Sequence, residues 1–332
     1  MKKLSIAYFG TPYFSARFLE KILTDTTINR LIEVKLVVTQ PDQPVGRKQT
    51  LSKTPVKVVA EKNNIAVIDD LKKLQVKSYK LKEMDFAFLF AYGGLIQKEL
   101  LNLPKYGFLN THPSLLPKYR GASPMVYPLI IGDTKTGVTL IKLDEEIDHG
   151  PIIAQEEMEI TSHDRRPDLE VKLSDLAFEM FKKTTKELIS TDFNRFKLIQ
   201  QNHSGATFTR KLEKDDGFIP FSTLKKTLNK EPLTFNELPQ IIKEYVSKYE
   251  VPYWRRPINN GIFESAKVVY NLYRGLFPWP GIWTKVIIKD QERRLKITDL
   301  TIHSSQLTIK SVQLEGKKEV NFKMINSAYR LL

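Results

Sequence analysis

The sequence contains no cysteine in 332 residues. This excludes disulfides, thiolate metal sites and a thiol nucleophile, and it suits a reducing cytoplasm, the compartment expected here. Long apolar runs are also missing. None approaches the roughly 18 residues that identify a membrane-spanning helix, so no membrane partner is expected. The opening MKKLSIAYFG has two lysines before a short apolar stretch. A secretory signal would need a longer run and a small-residue cleavage site, so this reads as a first strand. Glycine is sparse where a dinucleotide fold would need it. The loop after that strand is Gly10-Thr-Pro-Tyr-Phe-Ser15, with a single glycine instead of G-x-G-x-x-G, which argues against a nicotinamide or flavin cofactor. His112, His149, His163, His203 and His303 lack the spacing of a ligand set, and no metal is expected.

What is present describes an ordinary globular chain, 41% hydrophobic and 27% charged, of a length that favours two domains. The net charge is +14. Residues 207–332 hold 22 lysines and arginines against 13 acidic residues, so the smaller part is the more basic. A basic surface concentrates polyanions, of which nucleic acid is the commonest.

Strand and helix patterns alternate at the start: an apolar run at Leu4–Phe9, Phe14, Phe18, Leu19 and Ile22 at helical spacing, then a strand over Val34–Val38. This predicts an α/β fold with a mostly parallel, Rossmann-like sheet. Gln40–Pro55 is a long loop with three prolines and with Arg47, Lys48 and Lys53. Thr54-Pro55 opens a helix. Phe86–Ala91 reads as a third strand, Ser123–Ile131 as a helix, Ile152–Ile160 as an edge strand and Pro167–Leu188 as a long amphipathic helix. His203–Gly205 and Thr207–Arg210 look like a linker. The expected division is a catalytic domain over 1–205 and a basic domain over 206–332. The latter holds a helix near Leu238–Tyr249, then three strands (Trp283–Ile288, Leu295–Ile302, Leu307–Leu314) suggesting a small open β-barrel. Tyr253-Trp-Arg-Arg-Pro257 suits base stacking, or an exposed amphipathic turn.

The chemistry concentrates in Tyr106–Ile153. Phe108-Leu109 reads as the end of a buried strand delivering Asn110 and His112, whose i, i+2 spacing puts them on one face. Gly137–Leu143 reads as another strand, followed by an acidic turn. That turn would bring Asp148 back over the pair. Each residue also has a structural reading: a turn cap for Asn110, a core histidine for His112, a hairpin acid for Asp148.

Asn110-Thr-His112, Ser114-Leu-Leu-Pro117, Tyr119-Arg-Gly121 and Asp148-His-Gly150 resemble the signature of the 10-formyltetrahydrofolate-dependent formyltransferases. The resemblance is dense over the first 210 residues and returns at Pro278-Trp-Pro280 and Gly316-Lys-Lys318. It implies formyl transfer from 10-formyltetrahydrofolate as co-substrate, without metal, with Asn110, His112 and Asp148 as catalytic residues. It implies folate contacts from Phe90, Tyr92, Gly93, Gly94, Leu95 and Ile96, whose glycines expose backbone groups to a pterin edge, and from Ser114, Leu115, Leu116 and Pro117. It also implies initiator methionyl-tRNA as acceptor, touched by Arg47, Lys48 and Lys53, and a monomer. An amino sugar nucleotide or glycinamide ribonucleotide as acceptor, and a non-catalytic RNA-binding protein, remain open at this point.

Overall fold

Along Leu4–Phe9 the side chains alternate between two faces. Ala7 and Phe9 join an apolar cluster with Leu36, Val38, Ala87, Leu89 and Phe108. Tyr8 turns the other way, onto Phe18 and Phe88. A strand apolar on both faces must be covered on both, and it therefore lies inside a parallel sheet. The computed structural model describes residues 3–45, 49–70, 74, 79–191, 197–249 and 262–331.

The strands in chain order are β1 (Leu4–Phe9), β2 (Ile32–Val38), β3 (Gln43–Val45), β4 (Thr50–Ser52), β5 (Ala66–Ile68), β6 (Phe86–Leu89), β7 (Phe108–His112), β8 (Arg120–Gly121), β9 (Lys135–Lys142), β10 (Ile152–Glu159) and β11 (Phe208–Thr209). Seven of them form one sheet, ordered β10-β9-β7-β6-β1-β2-β5. From β5 to β7 every pairing is parallel, and β9 returns antiparallel to β7. The mostly parallel α/β sheet is the one read from the sequence, with β10 at its edge. Helices Tyr13–Thr24 and Arg166–Thr191 bring Phe18 and Phe181 to 5.2 and 4.4 Å from the Phe88 ring. Offset and tilted aromatic pairs at such distances stabilise by about 1 kcal/mol beyond the area they bury.

Several details differ from expectation. Gln40–Pro55 is not an open loop: β3 and β4 pair as an antiparallel hairpin, Gln43 opposite Ser52. The strand β5 has only three residues, too few for a periodic signal. The helix expected over Ser123–Ile131 starts at Tyr127, with Pro128 in its first turn. A proline has no N–H to donate further inside a helix, so an earlier start is disfavoured.

The chain divides into two compact units. One comprises Met1–Pro124, Thr136–Glu159 and Glu170–Thr209; the other comprises Met125–Lys135, Ile160–Leu169 and Arg210–Leu332. The second unit contains a short pair, β12 (Leu233–Thr234) with β13 (Ile262–Phe263), and an antiparallel meander of β14 (Ile282–Ile288), β15 (Gln291–His303), β16 (Gln306–Leu314) and β17 (Glu319–Asn321). This is the smaller barrel-like sheet, with one strand more than expected. A helix at Gln240–Lys248 meets the expectation, while helices Phe221–Leu228 and Ser265–Leu276 were not legible. Tyr253–Pro257 lies outside the described residues. Within this unit the buried Arg274 guanidinium donates to the carbonyls of Thr161 (2.8 Å) and Asp164 (3.2 Å).

Candidate active site

The parallel strands β1, β6 and β7 end on the same side of the sheet, the side at which open α/β sheets hold ligands. Leu89 of β6 registers with Asn110 of β7, so the loop after β6 starts beside the polar end of β7. Asn110 and His112 are buried, and both reach Asp148. Asn110 Nδ2 donates to Asp148 Oδ1 at 3.3 Å. His112 Nδ1 lies 3.4 Å from the same oxygen. The other oxygen, Oδ2, accepts the Gly121 N–H at 2.8 Å. Asn110, His112 and Asp148 are thus brought together as their spacing predicted. Neither the cap reading of Asn110 nor the isolated-core reading of His112 accounts for two donors converging on one carboxylate oxygen.

Burial by itself would push His112 down from its ordinary value of 6.5. The Asp148 charge and hydrogen bond outweigh it, helped by the Tyr119 carbonyl at 2.9 Å from Nε2, and the imidazole is raised. Burial would likewise raise Asp148. The His112 charge, the Gly121 N–H and Arg120 overcome that and hold the carboxyl below its usual range. The two shifts describe one interaction, an imidazolium–carboxylate pair that titrates as a unit.

The backbone around this pair is unusual. Tyr119 and Asp148 adopt left-handed conformations, with φ of 62° and 50°, and Gly121 has φ of 102°. At Tyr119 and Asp148 this costs about 1–3 kcal/mol each and persists where the surroundings over-determine it, whereas Gly121 adopts it freely. The surroundings here are β11. Thr207 accepts the Tyr119 N–H on its Oγ1 (2.8 Å) and the Arg120 N–H on its carbonyl (2.8 Å). Thr209 Oγ1 donates to the Arg120 carbonyl and accepts the Ser123 N–H, both at 3.0 Å. A Cβ on Gly121 would stand 2.4 Å from the Thr209 carbonyl oxygen. The stretch Thr207–Arg210, expected to be linker, is therefore corrected through Thr209: it forms one wall of the site.

The folate-contact candidates fall in two segments. In the first, Gly93 has φ of 78° and Leu95 is 74% exposed. Thr11 Oγ1 donates to the Tyr92 carbonyl at 2.7 Å and ties this loop to the one after β1. Ile96 packs partly against the core. The ring of Phe90, expected to sandwich a pterin, is fully buried against Phe14 and Phe18. The Tyr92 ring is buried edge-on to Phe9. The Phe90 backbone is likewise taken up internally, its N–H by the Phe9 carbonyl (2.9 Å) and its carbonyl by Ser15 Oγ (2.7 Å), so the expected pterin sandwich by Phe90 does not match its placement. In the second segment, Ser114 donates to the Lys118 carbonyl at 2.6 Å. Leu116 N–H donates to Thr139 Oγ1 at 3.1 Å, and the Leu116 carbonyl accepts from Gln155 at 3.0 Å. Leu115 and Pro117 are half-buried.

Lys53 pairs with Glu61 at 2.7 Å on an exposed surface; Arg47 and Lys48 lie outside the described residues. Among the described residues, no group of three or more histidines and carboxylates could hold a metal. Nor is any helix long and apolar enough to cross a membrane.

Arg120 stands in the Tyr119-Arg-Gly121 motif, but its partners were not legible in advance. It is buried and donates to Gln201 Oε1 (2.7 Å from Nη2) and to His203 Nδ1 (2.9 Å). His203 stacks on His149 at 4.0 Å with an interplanar angle of 6°, and His149 is bonded to Asp144 at 2.7 Å. Nothing in the polar run Gln200-Gln-Asn-His-Ser-Gly205 marks these partners, because the pairing is tertiary.

A buried amide and a buried imidazole thus converge on one carboxylate oxygen at the carboxyl ends of the parallel strands. Residues 3–185 match the Formyl transferase family, and the class is thereby fixed. Over nearly its whole length the chain is similar to two proteins named methionyl-tRNA formyltransferase. One, from Caldicellulosiruptor saccharolyticus, is 30% identical over 99% of this chain and 98% of its own. The other, from Buchnera aphidicola, is 31% identical over 99% and 96%. The chain belongs to the methionyl-tRNA formyltransferase family. Among solved structures, a 4-N formyltransferase from Francisella tularensis shares the fold, with a TM-score of 0.57 and 19% identity over 90% of this chain and 99% of that one.

Proposed function

We infer that this protein transfers the formyl group of 10-formyltetrahydrofolate to the α-amino group of initiator methionyl-tRNA, supporting translation initiation. The observation that carries this is the convergence of Asn110 and His112 on one oxygen of Asp148, in a chain that matches methionyl-tRNA formyltransferases from end to end.

Formyl transfer is acyl transfer. The neutral amine attacks the formyl carbon, the carbonyl oxygen becomes an oxyanion, and the folate nitrogen leaves. An oxyanion needs aimed donors. Asn110 Nδ2–H and His112 Nδ1–H both point where Asp148 Oδ1 now sits. At 3.4 Å the His112 contact is longer than a charge-assisted bond of about 2.7–2.9 Å, so this N–H is the less committed of the two on the ring. The formyl oxygen engages the same two donors, and His112 supplies positive charge. Asp148 maintains the imidazolium and takes up the amine proton through water, which returns to the departing nitrogen. The backbone at Tyr92–Gly94 and the segment Ser114–Pro117 hold the folate. No covalent intermediate is needed.

The acceptor is held by the basic unit and by the β3–β4 hairpin with Lys53. On one face of the meander, Lys285 sits opposite Arg294, and Trp283 opposite Lys296. The Arg294 guanidinium lies 4.6 Å from the Trp283 ring centre. The Trp283 ring is itself buried against Phe218, so what this face offers a nucleic acid is positive charge for the phosphate backbone.

The test offers 10-formyltetrahydrofolate with charged initiator tRNA, an amino sugar nucleotide and water as competing acceptors. Formylmethionyl-tRNA is the expected product. Preferential formylation of the sugar would overturn the reading.

A further inference from the structure

The carboxylate of Asp148 depends on a backbone that does not hold itself. At φ of 50° an aspartate sits in a region that suits glycine and asparagine better, at the end of an acidic turn. Two residues on, Gly150 lies so close to β9 that a Cβ would stand 1.9 Å from the Lys142 carbonyl oxygen. The turn is pressed inward at Gly150 and strained at Asp148.

Besides the Gly121 N–H on its carboxylate, the main chain of the turn is fastened from the other side by the Gln201 side chain. Gln201 Nε2 donates to the main-chain carbonyls of Asp148 (2.9 Å) and Gly150 (2.7 Å). Its Oε1 accepts from Arg120 Nε (3.2 Å) and Nη2 (2.7 Å). Carbonyls only accept and a guanidinium only donates, so the partners fix which way the amide faces. Both N–H groups and both lone pairs are used, and the residue is 5% exposed. An amide with its full complement of four bonds is immobile. Arg120 is fastened in turn, its N–H and C=O bonded to Thr207 and Thr209. Gln201 also lies beyond the region that matches the Formyl transferase family, which ends at residue 185.

We propose that Gln201 is a positioning residue for formyl transfer: by clamping the main chain of Asp148 and Gly150 it sets the Asp148 carboxylate against Asn110 and His112. The proposal rests on Asp148 belonging to the transfer machinery. Without the clamp the turn relaxes, the carboxylate withdraws from His112, and the imidazole loses the partner that keeps it charged against the pull of burial.

The experiment compares full-length wild type, Gln201→Ala, Gln201→Glu and Asp148→Asn for formylation of methionyl initiator tRNA across pH. Gln201→Glu keeps an acceptor for Arg120, removes the two N–H donors to the turn and sets a carboxylate oxygen against its two carbonyls. Both Gln201 variants are expected to lose on the order of 10²-fold in kcat, the effect of misplacing a reacting group by about 1 Å, with KM for both substrates little changed. In Gln201→Ala the alkaline limb of the kcat profile moves to lower pH. A wild-type kcat in either Gln201 variant, or a lowered kcat with the limb left in place, overturns the proposal while an inactive Asp148→Asn keeps the catalytic reading standing. If Gln201→Ala does not fold, Gln201→Glu decides by the split between kcat and KM: a fall in kcat with both KM values unchanged supports the proposal, and a wild-type kcat or a matching rise in KM overturns it. Full activity in Asp148→Asn removes the catalytic reading itself, whatever Gln201 does.

Discussion

Asp148 is where the local chemistry is most exposed to test. The raised His112 favours folding, and its contribution is fully present below the ordinary 6.5 and is lost as pH rises through the higher folded value. The lowered Asp148 contributes above its ordinary 3.8 and loses that as pH falls through the lower folded value. Both contributions are complete only between those two ordinary values, and the charged pair itself survives beyond them on each side. The kcat profile is therefore expected to keep an alkaline limb above 6.5. Asp148→Asn removes the charge that raises His112 and leaves burial opposed by the Tyr119 carbonyl. The variant should fold normally and fall by roughly 10²–10³-fold, the scale of losing one oxyanion donor, with any residual activity confined to lower pH. A limb unmoved from wild type in steady-state kinetics would refute the pairing. Asn110→Ala should fall by a similar factor, measured the same way, without a shift of the limb.

At this scale the sequence was readable where two functional side chains share a strand. Asn110 and His112 need only the alternation of an extended chain. Gln201 was unreadable, because Gln200 beside it is chemically identical and only the tertiary partners Arg120 and Asp148 tell the two apart.

Among elements, β11 has the largest effect for its size. Two residues, Phe208 and Thr209, pair in parallel with Arg120 and Gly121 and hold the strand that follows the left-handed Tyr119. Thr209→Val keeps the shape and the strand pairing with Arg120 and Gly121 but strands the buried Ser123 N–H. Leaving such a group unpaired costs about 1–3 kcal/mol, so urea melts should show a loss of that size. Unchanged stability would mean that β11 is not the restraint. Long apolar or alternating runs such as β1, β2 and β14–β16 could be read directly from the sequence. Elements of two or three residues, β5, β8 and β11, could not, since so short a stretch carries no period and forms only because a neighbour supplies the partner.

For the whole molecule, the charge distribution sets the first expectation. If residues 207–332 bind the phosphate backbone, affinity for initiator tRNA should fall steeply and linearly on a log–log plot against salt, with a slope of roughly −0.7 to −0.9 per neutralised phosphate. Lys285→Ala with Arg294→Ala should make that slope shallower in a filter-binding titration. A slope near zero would place recognition elsewhere. The architecture was legible at this level because composition, charge and strand–helix alternation accumulate over tens of residues; the way the chain shuttles between its two units was not.

That shuttling has a consequence for anyone dissecting the protein. The C-terminal unit borrows Met125–Lys135 and Ile160–Leu169 from the first half of the chain, and the buried Arg274 finds its carbonyl acceptors in the second of these. A fragment of residues 210–332 expressed by itself should give no cooperative thermal transition by circular dichroism. Recombination at a single crossover near residue 209 would accordingly splice an incomplete module onto its new host. A working chimera has to exchange three separated stretches at once, which makes the two halves of this protein a poor pair of interchangeable cassettes and ties their inheritance together.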